Sequence, residues 1–392
     1  MNLFVSDIAI GDKRSSFQML QPLLDQIQNK YGGVIVLTPK ILNRDQSYIL
    51  QEYYVPFYKN KLLFLRLFSE VTLSFIPYFS YLFKVKNKRD IKNVIVYSPS
   101  IFLVFFVIFQ KFFSYRKRRY FLILRDLFPI WARNTGLIKN QTIFSFFMVI
   151  SSLQFRYFDV IGVQDEMAID IIKTYYKPKS KLIVLRNWMN FKEAQSSKPQ
   201  IKENLKKLIT NKEDFVIYAG MIGEAQNLIP LLDAFQNYLI TNPKCKTKLL
   251  ILGEGRDKEK IIEIAKLSNG NIFYSEPVTQ EACDFLIKNS IGGIVSLNRN
   301  HETNNIPGKL LKYLSLGKPI IANINKNNTE LLGQIEEGSL GIALCSDNAD
   351  ILERGWKQFL STHYNGKNLK KYFKNHFSFE KSANPILNWL ET

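Results

Sequence analysis

The sequence predicts an α/β fold of two domains, each with a mostly parallel sheet covered by helices. A chain of 392 residues is longer than a typical single domain. Short apolar runs rich in β-branched residues alternate with helical segments, a pattern typical of parallel sheets. The alternation stops at a polar stretch, 191–214, and then restarts. This stretch is predicted to be a linker that leads into a helix.

Ten apolar runs are predicted strands, five on each side of the polar stretch. Ligands of open α/β sheets bind at the carboxyl ends of strands, so two such domains in tandem predict a cleft with a ligand that bridges it. We expect the domains at 1–192 and 213–375, with 193–212 as the linker. The predicted strands are 34–39, 93–99, 120–126, 160–164 and 181–187, then 214–220, 248–255, 271–277, 291–298 and 318–323.

Composition restricts the partners and the compartment. The chain has 53 Lys and Arg against 34 acidic residues, a formal charge of +19 that favours an anionic partner: nucleic acid, anionic lipid or a phosphorylated substrate. Its three cysteines, Cys245, Cys283 and Cys345, fit no metal-ligand spacing and indicate a reducing compartment without disulfides. The amino-terminal residues do not resemble a signal peptide, so a cytoplasmic location is expected.

Basic and aromatic residues are interleaved between Lys84 and Arg125, where eleven Lys or Arg stand against one acid, Asp90. The apolar runs in this region, 72–83 and 101–113, are too short to cross a bilayer. One interpretation is an interfacial site, with apolar rings and basic side chains against anionic lipid. The other is a buried helix of the first domain beside a solvated charged loop. The sequence leaves both open.

Glycine-rich turns follow two predicted strands of the second half. YAGMIGEAQNL, 218–228, places Gly220 and Gly223 between a strand and a helix, where backbone amides and the helix amino end attract phosphate. LGEGRDKEKI, 252–261, repeats the pattern with Gly253, and Glu254 is positioned to accept hydrogen bonds. Taken alone, such a motif is more often a tight turn than a phosphate site.

A third motif, IPGKLLKYLSLGKPIIA at 306–322, predicts a short helix that begins at the turn of Pro307 and Gly308 and ends at Gly317. Lys309 lies in its first turn, where the helix dipole disfavours a cation. A diphosphate held by the amides of Gly308 and Lys309 would explain the lysine. A solvated lysine is the alternative.

The order and spacing of these stretches resemble the nucleotide-sugar-binding domain of GT-B glycosyltransferases, family 4 in particular. The matching stretches are YAGMIGEAQNL, LILGEGRDKEKI, IFYSEPVTQE and IPGKLLKYLSLGKPIIA. The resemblance implies a GT-B fold, two Rossmann-like βαβ domains facing a central cleft, with the last helix, 376–392, packed on the first domain. GEAQNL and RDLFPIWARN look most like the bacterial branch that transfers N-acetylated amino or deoxyamino sugars in O-antigen and capsule assembly.

The resemblance also implies a UDP-sugar donor in the second domain and no metal or other cofactor. Lys309 and the glycine turns would hold the diphosphate. The other residues implied at the donor are Gln226 and Asn227 after the first glycine turn, and Pro277, Val278 and Glu281 beside the base.

The chain departs from the family pattern around the donor. Met221 and Gln226 stand near the family's usual Arg and Lys, and Asn304 and Lys312 replace its two glutamates. Diphosphate binding is therefore expected to depend more on Lys309 and on backbone amides, and the sugar contacts are the part that these departures affect.

The first domain is expected to hold the acceptor. Asp126, which follows Arg125 at a strand end, is the candidate base of an inverting reaction, and capping the helix near Pro129 is its alternative role. A retaining reaction, which most of family 4 catalyses, needs no such base because the donor phosphate can take the proton. The loop after the first strand adds three residues expected near the acceptor or the donor phosphate: Asp12, Lys13 and Arg14.

These expectations favour a hexosyltransferase at the inner face of the cell membrane. It would move a sugar from a UDP-sugar to a saccharide or polyprenyl-diphosphate-linked acceptor in O-antigen, capsule or lipopolysaccharide synthesis. A nucleotide-sugar epimerase of the same fold is the runner-up. A nucleic-acid-binding protein is suggested by charge alone, without a helix-turn-helix, RRM or zinc-finger motif. No HExxH, DxD or Cys/His cluster appears, so no metal is expected.

Overall fold

The computed structural model of the protein describes residues 1–11, 15–43, 47–56, 63–98, 100–114, 116–134, 136–189, 199–299 and 306–392. The chain divides into two compact units, each with its own sheet. Unit 1 comprises Met1–Asn190 and Phe379–Thr392, and unit 2 comprises Phe191–Ser378. The carboxyl-terminal residues therefore belong to the first unit.

Unit 1 is built on a seven-stranded sheet. Its strands are β1 (Asn2–Ser6), β2 (Val34–Thr38), β3 (Ile49–Glu52), β4 (Asn93–Ser98), β5 (Arg119–Leu124), β6 (Val160–Val163) and β7 (Lys181–Val184). They pair in parallel in the order β3-β2-β1-β4-β5-β6-β7, which reverses between β1 and β4. β1 and β2 are buried along their whole length, because helices cover both faces of the sheet.

Helices pack on both faces of this sheet. They are α1 (Ser15–Lys30), α2 (Leu63–Thr72), α3 (Ile76–Lys84), α4 (Val104–Phe113), α5 (Ile130–Asn134), α6 (Gln141–Tyr157) and α7 (Glu166–Tyr175), with 3-10 turns at Lys88–Asp90 and Ile101–Leu103. One apolar core joins α3, α4, α6 and α7 to the sheet, and a second joins α1 to the opposite face.

Unit 2 repeats the same architecture with six strands. These are β8 (Phe215–Ala219), β9 (Lys248–Leu252), β10 (Ile272–Ser275), β11 (Gly292–Ser296), β12 (Ile320–Asn323) and β13 (Gly341–Leu344). They are parallel in the order β10-β9-β8-β11-β12-β13, which reverses between β8 and β11. Its helices are α8 (Glu203–Thr210), α9 (Ile229–Thr241), α10 (Lys258–Leu267), α11 (Gln280–Asn289), α12 (Gly308–Ser315), α13 (Thr329–Glu337), α14 (Ala349–Ser361) and α15 (Gly366–His376).

The chain ends on unit 1, with α16 (Phe379–Ser382) and α17 (Asn384–Glu391). Phe379, Ile386 and Leu387 are buried in the same core as α1. Trp389 lies 5.1 Å from the ring of Phe121 on β5. Apolar contacts of this kind hold the last helices against the first sheet.

The predicted α/β class with two Rossmann-like sheets is confirmed, and each of the ten predicted strands corresponds to a strand. Three further strands, β1, β3 and β13, are not among the ten predicted runs. β1 was considered only as the strand before Asp12, whereas β3 and β13 are short edge strands of intermediate burial without a long apolar run. Helix α8 lies inside the range predicted as the linker. Residues 190–198 lie outside the described part of the chain.

The aromatic region that the sequence left open is largely helical. Pro77 lies in the first turn of α3, and Val104, Phe106 and Val107 of α4 are buried in the core, as the buried-helix interpretation requires. The outer side of the same helix ends in Phe112, which is 70% exposed, so this interpretation accounts for only one face. None of the described helices combines the length and apolar character needed to cross a bilayer.

Candidate functional site

The candidate site lies at the carboxyl edge of the unit 2 sheet, where the strand order reverses between β8 and β11. The loop after β8 is attached to the end of β11: the Ser296 hydroxyl donates to the carbonyl oxygen of Gln226 at 2.6 Å. The backbone amide of Asn298 donates to the carbonyl oxygen of Ala225 at 2.9 Å. A reversal point of this kind is where open α/β sheets bind ligands.

The structure brings the two glycine-rich turns together. The amide of Gly220 donates to the carbonyl oxygen of Leu252, and the amide of Ile222 donates to the backbone carbonyl oxygen of Glu254, both at 2.9 Å. A Cβ atom at Gly253 would lie 1.9 Å from the carbonyl oxygen of Gly220, so only glycine allows this approach. The strand ends of β8 and β9 therefore form one continuous backbone surface.

Lys309 reaches this surface from the first turn of α12. Its Nζ lies 3.9 Å from the centre of the Tyr218 ring at the end of β8. A Cβ atom at Gly220 would approach the same Nζ to 3.3 Å. No carboxylate of the described residues forms an ion pair with Lys309. The third motif thus meets the first, with an ammonium group beside the glycine turn.

The electrostatic state of Lys309 follows from its surroundings. Burial lowers the pKa of Lys309 to about 7, because the charged form loses hydration without gaining a counter-charge. The face of Tyr218 offers only a cation–π contact. The Tyr218 hydroxyl donates to the carbonyl oxygen of Met221, and burial raises its pKa well above the usual value. A bound anion would restore the charge of Lys309.

A second lysine of α12 has a different environment. Lys312 forms an ion pair with Asp284 of α11 at 2.6 Å, with side chains only 17% and 11% exposed. The Gln280 amide donates to the other carboxylate oxygen of Asp284 at 2.7 Å. Lys312 therefore joins two helices through a carboxylate that the sequence analysis did not single out.

Two tyrosines that the sequence analysis missed support the site. The Tyr313 hydroxyl accepts from the amide of Ala219 and donates to the carbonyl oxygen of Ile217, both at 3.1 Å. A Cβ atom at Gly293 would lie 2.4 Å from the Tyr313 ring. Tyr313 thus holds the end of β8 in place, and Tyr218 supports Lys309. A tyrosine in an apolar helix and one in an apolar strand give no separate signal in the sequence.

The remaining predicted donor residues are spread along the same edge. Glu254 is exposed, and its carboxylate lies 4.0 Å from Lys258. Pro277 and Glu281 are exposed and Val278 is half-buried, after β10. β10 is separated from β8 by β9, whereas α11, which carries Glu281, contacts α12 through the ion pair of Asp284 and Lys312. Gly223, Gln226 and Asn227 are half-buried in the loop after β8, and Pro307 and Gly308 form the start of α12.

A cavity of about 220 Å³ lies between the loop after β8 and α10. Its two cations are already paired: Arg256 lies 2.8 Å from Glu224, and Lys260 lies 3.3 Å from Asp257. Most small-molecule sites are larger than this cavity. The ammonium of Lys309, which has no ion-pair partner among the described residues, is therefore the stronger candidate for binding an anion.

Unit 1 places Arg125 and Asp126 at the carboxyl end of β5. Nη1 of Arg125 donates to the carbonyl oxygen of Leu185 at 2.6 Å, and its guanidinium lies 5.3 Å from the centre of the Trp188 ring. Burial lowers the pKa of Arg125 to about 10. Desolvation raises the pKa of the Asp126 carboxyl, opposed by Arg125. Because Asp126 is also exposed, water limits this shift.

The alternative role of Asp126, capping the helix near Pro129, is not seen among the described residues. Helix α5 begins at Ile130, and within the described residues the Asp126 carboxylate accepts no hydrogen bond from its first amides. A residue missed by the sequence analysis, Asp7, follows β1 at the reversal point, and its carboxylate accepts from the amide of Ser100 at 3.0 Å. Asp12, Lys13 and Arg14 lie outside the described residues. Among the residues described, no three His, Cys, Asp or Glu side chains are grouped as a metal site.

Solved structures of low sequence identity share this architecture. A structure from E. coli, described as trehalose-6-phosphate bound with UDP-2-fluoro glucose, is 11% identical over 100% of this chain and 99% of its own, with a TM-score of 0.72. The UDP-forming α,α-trehalose-phosphate synthase of Burkholderia xenovorans, in complex with glucose-6-phosphate, is 11% identical over 100% of this chain and 99% of its own, with a TM-score of 0.69. WaaG, a glycosyltransferase involved in lipopolysaccharide biosynthesis, is 10% identical over 98% of this chain and 98% of its own, with a TM-score of 0.62.

By sequence, no family model matches the chain, and no curated protein matches it significantly. The structural likeness extends over nearly the whole chain and over nearly the whole of each similar structure. The chain therefore has the two-domain, Rossmann-like GT-B fold.

Proposed function

We propose that this protein is a glycosyltransferase that binds a nucleotide-sugar donor at the carboxyl edge of unit 2. The observation that carries the proposal is the ammonium of Lys309, which lies between the Tyr218 ring and Gly220 without a carboxylate partner among the described residues. A cation that has lost hydration and has no counter-charge is stabilised by an anion. The first amides of α12 add donors to the same place.

The chemistry would be displacement at the anomeric carbon of the donor sugar. An acceptor hydroxyl oxygen forms a bond to that carbon, and the bond from the carbon to the diphosphate oxygen breaks. The electron pair leaves with the diphosphate. Lys309 would stabilise the developing charge on this leaving group, as cations do in phosphate-transfer sites. No group changes its oxidation state in this step.

The acceptor side of the proposal uses the carboxyl edge of unit 1. In an inverting reaction Asp126 takes the proton of the acceptor hydroxyl, for which its raised pKa is suitable. In a retaining reaction the leaving diphosphate takes that proton and Asp126 serves only in binding. The anomeric configuration of the product separates the two routes. Residues 12–14 complete this side of the proposal as ligands of the acceptor or of the donor phosphate.

The finer identity of the substrates rests on likeness. Two of the similar structures carry UDP or UDP-sugar in their descriptions, which supports UDP as the nucleotide. The resemblance of the motifs to family 4 supports an N-acetylated amino or deoxyamino sugar. It also supports a lipid-linked or saccharide acceptor in surface polysaccharide synthesis, at the inner face of the membrane. WaaG, one of the similar structures, is described as acting in lipopolysaccharide biosynthesis.

Calorimetric titration with UDP, GDP and CMP tests the donor site. We expect UDP to bind most tightly and Lys309→Met to weaken it about tenfold or more, the effect of one lost charge-assisted contact. Lys288→Met is the matched control, because Lys288 is exposed in the last turn of α11, the end farther from the carboxyl edge. Its affinity for UDP should equal that of the unchanged protein.

Equal affinity of Lys309→Met and the unchanged protein would overturn the assignment of the diphosphate to this lysine. Absence of binding by any of the three nucleotides would overturn the donor site itself. If UDP binds, incubation with UDP-sugars separates transfer from epimerisation: transfer releases UDP, whereas an epimerase changes the sugar and leaves the nucleotide attached.

A further inference from the structure

One face of unit 1 exposes a helix that is apolar on both sides. The sequence of α4, VFFVIFQKFF, has a single charged residue, Lys111. Phe106 and Val107 of its inner side are buried in the core, while Phe109 of its outer side is only partly covered. Phe112 and Phe113, at its end, are 70% and 68% exposed. A helix that is apolar all round normally lies in a core or in a membrane.

The apolar surface continues onto the helices that flank α4. Helices α3 and α6 belong to the same core cluster, so their outer sides belong to the same face of unit 1. Tyr78 of α3 contacts the rings of Phe109 and Phe113 at 5.3 and 6.3 Å, which holds them in fixed positions. Helix α6 carries no charged residue before Arg156. We call this face the α4 surface; its exposed side chains are Phe79, Leu82, Phe83, Phe112, Phe113, Ile143, Phe146 and Val149.

Cations surround one end of the α4 surface. Lys84 ends α3, Lys88 belongs to the turn that follows, and Arg116 follows α4. Nζ of Lys88 donates to the carbonyl oxygen of Leu82 at 2.6 Å, so a backbone group and not a carboxylate holds it. The cations at this end are Lys84, Lys86, Lys88, Arg89, Arg116 and Lys117. In the described part of the chain none of these six forms an ion pair.

We propose that the α4 surface docks on an anionic lipid bilayer, with its apolar side chains among the acyl chains and the cations against the headgroups. Burial of exposed Phe and Leu side chains and attraction of Lys and Arg to anionic lipid add to one another at such an interface. The proposal concerns a surface of unit 1 and does not depend on the donor site of unit 2.

Two other occupants fit the surface less well. Single-stranded nucleic acid binds basic grooves by stacking bases on aromatic rings. Leu82, Ile143 and Val149 offer no such stacking, yet they form part of the surface. A second copy of this chain in a symmetric dimer would bring the same cations of both copies into one interface, where like charges repel.

Flotation with lipid vesicles tests the proposal on the full chain. We expect binding to vesicles of phosphatidylcholine mixed with phosphatidylglycerol, and much weaker binding to phosphatidylcholine alone. Phe83→Ser/Phe112→Ser/Phe113→Ser should lower the fraction bound by more than tenfold, because three rings no longer enter the bilayer. The matched control is Ile240→Ser/Leu267→Ser, which changes two side chains of unit 2 that are 77% and 73% exposed. It should bind vesicles as the unchanged protein does.

Charge variants test the second half of the proposal. Lys86→Gln and Lys117→Gln should each weaken binding to the anionic vesicles about fivefold, and high salt should remove this difference. Circular dichroism and UDP titration of every variant check that both units remain folded. Vesicle binding that survives the triple Phe variant would overturn the proposal.

Two further results would also overturn it. One is binding of a single-stranded RNA probe, lost in the triple Phe variant, without binding of vesicles. The other is a dimer that sedimentation detects in the unchanged protein and not in that variant, again without binding of vesicles.

Discussion

The two units share one architecture and differ in their surfaces. Unit 1 contains 28 basic and 14 acidic residues, whereas unit 2 contains 25 and 20. Of the large apolar side chains exposed in the described residues, 16 belong to unit 1 and 4 to unit 2. Ion pairs follow the opposite trend, with two found in the described part of unit 1 and nine in that of unit 2.

This difference separates what a fold requires from what a partner requires. Both sheets need buried β-branched and aromatic residues, so the two cores are similar in kind. Surface charges that are paired within a unit need no partner. The excess charge and apolar surface of unit 1 suit an extended anionic surface, while Lys309 of unit 2 suits a small anion. The comparison predicts that each unit responds separately to substitution.

The largest expected effect comes from the cores. Trp356 of unit 2 is fully buried, its ring centre lies 4.8 Å from that of Phe235 in a tilted arrangement, and its Nε1 donates to the carbonyl oxygen of Leu231. Trp356→Ala should cost about 3–5 kcal/mol of the free energy of unfolding, from lost burial and the cavity left behind. Phe106→Ala, fully buried in unit 1, is the counterpart and should cost a similar amount.

Scanning calorimetry and hydrogen exchange measure these two variants. Trp356→Ala should lower the protection of unit 2 amides, and Phe106→Ala that of unit 1 amides. If both substitutions lower the protection of both units equally, the chain unfolds as one cooperative body and the separation proposed above is wrong.

A smaller effect is expected from the ion pair of α12. Asp284→Asn leaves Lys312 without this counter-charge in a site where both side chains are largely covered, which should cost about 2–3 kcal/mol. UDP affinity should stay unchanged, because Lys312 points to α11 and Lys309 to the glycine turn. Denaturant unfolding and UDP titration measure the two quantities.

The double variant Asp284→Leu/Lys312→Met removes both charges of the pair and is the control for losing only one of them. It should recover part of the stability that Asp284→Asn loses. A loss of UDP affinity in Asp284→Asn, with stability unchanged, would mean that this pair belongs to the donor site.

The smallest expected effect is the change in stability that Lys309 causes between pH 7 and pH 8. Its pKa is about 7 in the folded chain against an ordinary value of 10.5, so the unfolded chain binds more protons between these values. The free energy of unfolding should therefore rise with pH from about 7 to about 10.5, by at most about 1.4 kcal/mol per pH unit.

Lys309→Met removes this contribution. The free energy of unfolding of the unchanged protein minus that of Lys309→Met should therefore increase as pH rises from 7 to 8. Urea unfolding at both pH values measures it. A difference that stays constant with pH would mean that Lys309 keeps an ordinary pKa. Titration of UDP at pH 8 gives an independent check, because a bound anion should cause Lys309 to take up a proton.

Much of the fold could be predicted from local patterns. The central strands are long apolar runs, and the glycine turns and the helix of Lys309 follow them in order. The edge strands β3 and β13 escaped prediction because a strand paired on one side needs less apolar sequence. In the candidate site, Gly220, Gly253 and Lys309 could be identified in the sequence, since each is unusual at its own position.

The supporting residues could not be identified in this way. Tyr218, Tyr313 and Ser296 are ordinary members of a strand or a helix, and their partners are distant in the chain. The same holds for Asp284, whose pairing with Lys312 joins two helices. Each contact depends on which strands are neighbours in the sheet.

The sequence by itself determined the α/β class, the two-domain division and the position of a lysine in the first turn of α12, because periodicity, glycine and turn chemistry act over a few residues. The tertiary structure decided that β8 lies between β9 and β11, which brings Gly220, Gly253 and Lys309 together. It also decided which side of α4 is covered by the core. Contacts between residues far apart in the chain follow from packing, which no local pattern specifies.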